Sequence, residues 1–80
     1  MKDNSLFNDI LKAVYEFKKD GYNSKDLMIL LTIEDYMYIS FMKEYHDDIV
    51  RYNKLFNITV TSSCNIEKSL VILEKKSTSL

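Results

Sequence analysis

The feature that most constrains this 80-residue chain is an apolar run that leads directly into a helix start. Residues 27–31 (Leu-Met-Ile-Leu-Leu) show no alternation, and Thr32-Ile33-Glu34-Asp35 follows at once. A Thr with an acid three residues later resembles a capping box and places acids in a first helical turn. We therefore predict that residues 27–32 form a buried strand covered on both faces, and that a helix begins directly behind it.

The same run has an alternative interpretation, because periodicity alone does not separate a short buried strand from a buried helical segment. In the alternative, residues 25–52 form one long helix with Ser24 as its N-cap. The capping pattern at Thr32 favours the strand, and it places the following helix at about residues 33–52.

Three further elements follow from residue spacing. Strands are predicted at 58–62, which alternates and is β-branched, and at 70–73, which is apolar throughout. A helix is predicted at about residues 5–20, ending at Gly21. Its apolar residues recur at helical spacing on one face: Phe7, Ile10, Leu11, Val14 and Phe17.

The resulting order, α-β-α-β-β, predicts an α+β fold with a small three-stranded mixed sheet packed with two helices. The strands at 27–32 and 58–62 are joined through a helix, so they are expected to be parallel. The strands at 58–62 and 70–73 are joined by a short loop, so they are expected to pair antiparallel. Residues 1–74 are predicted to form one domain, and residues 75–80 a polar tail.

The second predicted helix carries more apolar residues than a small sheet can cover. Its main stripe consists of Tyr38, Phe41, Met42, Tyr45, Ile49 and Tyr52, and further apolar residues flank that stripe. Tyr and Met are common at protein interfaces. We predict a homodimer whose interface includes Tyr36, Met37, Tyr45 and Tyr52. The alternative is a well-covered helix with a few exposed tyrosines.

Composition argues against several other functions. The net charge is −1, from eleven basic and twelve acidic residues, which gives no overall field toward nucleic acid or membrane. With one Gly and no Pro, a Gly-rich phosphate loop is excluded. Nucleic-acid binding remains the alternative function, since Tyr and Phe beside Lys can stack on bases. However, the lysines are scattered among acids and no RNP-like motif is present.

No group of residues predicts catalysis, a metal, a cofactor or a small-molecule ligand. His46, Asp47 and Asp48 are consecutive, so on a helix their side chains diverge by about 100° each. Cys64 could serve as a nucleophile with His46 only if the fold brought two separate elements together. Glu34 and Asp35 are explained by their position at a helix start.

The expected location is the cytoplasm, or the host cytoplasm for a phage-encoded chain. The sequence holds one Cys, and residues 1–5 lack the apolar segment of a secretory leader. Its longest apolar run, residues 27–31, is far shorter than a membrane-spanning helix.

About half of the chain, between residues 27 and 74, resembles a segment of the peripheral domain of tailed-phage major capsid proteins. In that family a strand enters a helix that starts with polar, Asp and aromatic residues, as at Thr32, Asp35 and Tyr36 here. A later strand opens with a Leu-x-Gly-Ile-x-Val pattern, which residues 55–60 match with Asn57 in place of Gly. The resemblance implies a β-α-β-β arrangement with a left-handed turn at Asn57.

Together these observations predict a small non-enzymatic protein that binds proteins as a homo-oligomer. It would be a phage or mobile-element accessory protein, or an inhibitor of a host factor. Its partners would be a second copy of itself, an unidentified protein, or both.

Overall fold

The fold is described by a computed structural model, which places residues 5–74. Residues 5–74 form three α-helices, one short 3-10 turn at Ser24–Asp26, and four strands. The helices are α1 (Ser5–Lys19), α2 (Ile33–Ser40) and α3 (His46–Tyr52), and the strands are β1 (Leu27–Thr32), β2 (Lys54–Leu55), β3 (Ile58–Ser63) and β4 (Leu70–Leu73).

The strands form one mixed sheet in the order β2-β3-β1-β4. β1 pairs parallel with β3, and it pairs antiparallel with β4 on its other side. The α+β class and the parallel β1–β3 pairing are as predicted. The alternative prediction of one long helix over residues 25–52 is wrong, because residues 27–32 are a strand and Thr32 is the N-cap of α2.

The predicted pairing between the last two strands is wrong. β4 lies beside β1, with Ile29 opposite Val71, and it does not touch β3 in the sheet. The outer side of β3 is already occupied by β2, so the chain crosses the end of β1 and pairs on the far side.

The fourth strand, β2, was not predicted. It forms a hairpin with β3 in which Lys54 pairs with Thr59 and Leu55 with Ile58. The two residues of the turn, Phe56 and Asn57, have φ of 55° and 67°. Positive φ at both central residues is what a type I′ hairpin turn requires. The predicted left-handed conformation at Asn57 is therefore confirmed, and Phe56 shares it.

The predicted continuous helix over residues 33–52 is wrong, because it is interrupted between Ser40 and His46. A straight helix of about 20 residues would be about 30 Å long, whereas a six-residue strand is only about 20 Å long. In such a helix Ile39 and Ile49 would also point about 80° apart. The interruption allows both isoleucines to be fully buried.

The interruption is bridged by hydrogen bonds at both of its ends. Nδ1 of His46 lies 2.7 Å from the carbonyl oxygen of Ser40, so it donates to the last turn of α2. The backbone N–H of His46 donates to the carbonyl oxygen of Met42 at 2.9 Å. These contacts satisfy backbone groups that a helix end otherwise leaves open.

The sheet has two different faces, which we call the core face and the open face. The core face carries the buried side chains Leu27, Ile29, Leu31, Leu55, Ile58, Val60 and Val71. All three helices pack on it, through Phe7, Ile10, Val14, Ile39 and Ile49. The prediction that residues 27–31 are covered on both faces is therefore wrong: Met28 and Leu30 point to the open face and are only half-buried.

The interruption between Ser40 and His46 also changes which residues of the second predicted helix are buried. Ile39, which sequence spacing placed beside the main stripe, is fully buried, whereas Phe41 is 80% exposed. Phe41 is the C-cap of α2, and its N–H still donates to the carbonyl oxygen of Met37 at 3.2 Å. Its side chain therefore follows the spacing of α2 and is no longer aligned with the stripe residues of α3.

Candidate protein-contact surface

The junction between β1 and α2 is held by a chain of hydrogen bonds that reaches β4. Oγ1 of Thr32 accepts from the N–H of Asp35 at 3.0 Å, as the predicted N-cap requires. The N–H of Thr32 donates to Oγ of Ser69 at 3.0 Å, and Ser69 in turn donates to Oδ2 of Asp35 at 2.7 Å. The capping box is thus completed through Ser69, which fixes the start of β4 against the start of α2.

The outer side of α2 carries an apolar stripe that the rest of residues 5–74 covers only in part. Its members are Ile33, Met37 and Phe41, which are spaced four residues apart and therefore lie on one side of the helix. Met37 is 51% exposed and Ile33 is 46% exposed. We call these three residues the α2 stripe.

The four residues predicted at a protein interface fall into two pairs. Met37 and Tyr52 are exposed, Met37 on the α2 stripe and Tyr52 at the end of α3. Tyr36 and Tyr45 are half-buried and pack against the core. The Tyr45 ring centroid lies 5.2 Å from that of Phe7, so this side chain contributes to packing as well as to the surface. Their role in an interface stays a prediction.

The residues weighed for catalysis or metal binding lie apart or are engaged elsewhere. His46, Asp47 and Asp48 are exposed, and His46 is hydrogen-bonded to Ser40. Cys64 is exposed, and its Sγ lies 3.9 Å from Oδ1 of Asn65. Among residues 5–74, no three His, Cys, Asp or Glu side chains are grouped so that they could hold a metal ion.

A groove of about 490 Å³ lies between the first half of α1 and β4. We call it the α1–β4 groove. Its polar lining includes Asp9, Lys68 and Ser69. Its apolar lining consists of Leu6, Ile10, Ala13, Leu70 and Val71.

Within residues 5–74, β4 is an edge strand, and one side of its backbone is paired with no other strand. The N–H of Glu74 donates to the carbonyl oxygen of Asp26 at 2.8 Å. Because hydrogen-bonded positions alternate along an antiparallel ladder, Leu70 and Ile72 also point their backbone groups toward β1. Val71 and Leu73 then point theirs outward, where they make no hydrogen bond to any residue that the structure describes.

Comparison with protein-family models, with curated proteins and with solved structures gives no match. The resemblance to phage capsid proteins therefore stays a prediction. Among the described residues, no helix has the length and apolar character needed to cross a membrane.

Proposed function

We propose that this chain is a non-enzymatic protein-binding protein that acts as a homo-oligomer and contacts a partner through the α2 stripe. The observation that supports this proposal most directly is the exposure of Ile33, Met37 and Phe41 on one side of α2. Large apolar side chains grouped on a surface are a feature of protein-contact sites, whereas single exposed ones are ordinary.

The position of the stripe also favours a contact role. Phe41 is the most exposed of the large apolar side chains described, and it stands at the end of α2 where the chain turns. Docking an aromatic side chain into a pocket of a partner removes a large apolar area from water. Met37, one turn earlier, is flexible and fits irregular partner surfaces.

The test is affinity capture from an extract of the source cells, with Met37→Ser/Phe41→Ser compared with the wild type. The matched control is Leu11→Ser/Tyr15→Ser, because these two residues are also apolar, exposed and four apart, but lie on α1. We expect a protein that is captured by the wild type and by the control and is lost with the α2 variant. Equal capture by all three proteins, or capture of none, would contradict the proposal.

The alternative function, nucleic-acid binding, can be distinguished from protein binding by the salt dependence of the affinity. Affinity that rests on phosphate contacts falls steeply as salt concentration rises, whereas apolar contacts at the α2 stripe do not weaken in this way. A gel shift with the wild type that disappears at raised salt would favour the alternative. The origin of the chain in a phage or mobile element is part of the proposal and rests on the resemblance alone.

A further inference from the structure

We propose that the partner segment bound by the α2 stripe is basic as well as apolar, with Lys or Arg side chains on either side of its aliphatic or aromatic contact residues. The inference rests on the proposed function and identifies the chemical class of the partner at the same site. It also implies that the homo-oligomer forms through a different surface of the chain.

The first reason is the uneven distribution of charge along the sequence. Residues 33–48 hold five of the twelve acidic residues but only one of the eleven basic residues, Lys43. This segment therefore has a net charge of −4 in a chain whose total is −1, and the rest of the chain is net positive. The same segment contains α2, so negative charge and the exposed apolar side chains of the α2 stripe occur together.

The second reason is that acidic side chains lie at both ends of the stripe. Glu34, in the first turn of α2, is exposed. At the other end, the hydrogen bond of 2.7 Å between His46 and Ser40 holds the start of α3 against the end of α2. Glu44 precedes that contact and Asp47 follows it, and both side chains are exposed.

The third reason is that this charge distinguishes among the surfaces that an apolar stripe could bind. Two copies joined through their α2 stripes about a two-fold axis would bring the same acidic residues together, which is destabilising. Nucleic acid and anionic membranes are negatively charged and are repelled in the same way. A protein segment in which Lys or Arg flanks apolar residues instead buries its apolar side chains and complements the charge at the ends of the stripe.

The two kinds of contact are expected to contribute differently. Met37 and Phe41 supply affinity, because their contacts remove large apolar side chains from water. The flanking acids accelerate association and favour basic partners over acidic ones. Salt screens exposed charges but does not weaken apolar contacts, so raised salt should reduce only the contribution of the acids.

The test begins with a displayed library of short random peptides, selected for binding to the wild-type protein. Peptides that need the stripe are those that do not bind Met37→Ser/Phe41→Ser, which we call the stripe variant. The matched control Leu11→Ser/Tyr15→Ser should bind them like the wild type. We expect these peptides to be enriched in Lys or Arg beside aliphatic or aromatic residues.

The second step measures the contribution of the acids with one such peptide, by fluorescence anisotropy at low salt. Glu44→Lys/Asp47→Lys should raise the dissociation constant by about tenfold. The control Glu16→Lys/Asp20→Lys makes the same change in net charge at exposed positions at the end of α1, and it should have little effect. At raised salt the effect of the first variant should shrink, whereas the loss with the stripe variant should persist.

A version of the peptide with Glu in place of Lys and Arg provides the reciprocal measurement. It should bind the Glu44→Lys/Asp47→Lys protein more tightly than it binds the wild type. A protein that had merely lost its fold would not gain affinity for a peptide, so this reversal separates a charge effect from damage to α3.

The inference is overturned, and the proposed protein contact stands, if the peptides that need the stripe show no excess of basic residues or bind Glu44→Lys/Asp47→Lys like the wild type. If no selected peptide needs the stripe, the inference and the proposed contact are both overturned. If sedimentation equilibrium finds a wild-type dimer and a monomeric stripe variant, a second copy occupies the stripe. The inference is then wrong, and the proposed homo-oligomer stands.

Discussion

The two faces of β1 are built from the same kinds of residue and yet have different surroundings. Leu27, Ile29 and Leu31 point to the core face and are fully buried under the helices. Met28 and Leu30, which alternate with them, point to the open face and are half-buried beside neighbouring strands. An apolar sequence therefore does not by itself determine that a position is part of the core.

The difference follows from where the helices lie. α1, α2 and α3 all contribute side chains to the one core cluster, so they share the core face. Met28 and Leu30 do not belong to that cluster or to the apolar side chains packed on it. The open face is therefore expected to tolerate substitutions that the core face does not.

The largest effect is expected for Ile29→Ala on the core face. Ile29 is fully buried between Val60 and Val71, so its truncation removes apolar contacts and leaves a cavity. We expect a loss of about 2–5 kcal/mol in the free energy of unfolding, measured by urea denaturation. A loss near that of an open-face variant would show that the two faces do not differ as described.

A smaller effect is expected for Thr32→Ala, at the point where β1 passes into the helix that covers the core face. The substitution removes the Oγ1 acceptor for the N–H of Asp35. We expect a loss of about 1 kcal/mol, measured by thermal or urea unfolding. Thr32→Ser keeps the acceptor and serves as the control. Equal losses in both variants would mean that the methyl group matters and the cap does not.

The Thr32 junction also shows what could be predicted from the sequence. The N-cap and the strand before it were predicted correctly, because both depend on residues close together in the chain. Ser69 was not predicted, although it completes the cap, because its contact with Thr32 spans 37 positions. No local pattern distinguishes Ser69 from its neighbours in a polar loop.

The errors at the second helix and at β4 have related causes. The prediction continued one helix through Phe41, because no Gly or Pro in the sequence marks the end of α2. The interruption follows from the size of the sheet, which is a property of the whole fold. Likewise, β3 could not be excluded as the neighbour of β4 until β2 was known to occupy its outer side. A local signal for β2 was present in Asn57, within a two-residue turn between apolar residues.

A third prediction concerns that turn, which directs Leu55 to the core face and Lys54 to the open face. Asn57 has φ of 67°, a conformation that Asn tolerates better than Ala does. We expect Asn57→Ala to lower the free energy of unfolding by about 1 kcal/mol. Asn57→Gly, which adopts positive φ without a steric cost, should be no less stable than the wild type. An Asn57→Ala protein as stable as the wild type would show that the turn does not set the position of Leu55.

The smallest effect is expected on the open face, for Leu30→Thr. Leu30 lies opposite Leu70 on one side and Thr61 on the other, and it is only half-buried. Thr suits a strand, and the substitution leaves no enclosed cavity, so a loss below about 1 kcal/mol is expected in urea unfolding at low protein concentration. Ile29→Thr is the matched variant one position away, and it should cost several times more because a hydroxyl would be buried without a partner. A similar cost at both positions would mean that the open face is covered in solution, by a segment outside residues 5–74 or by a second copy. A repeat of the measurement over a range of protein concentrations would separate these two, since only cover by a second copy makes the cost of Leu30→Thr depend on concentration.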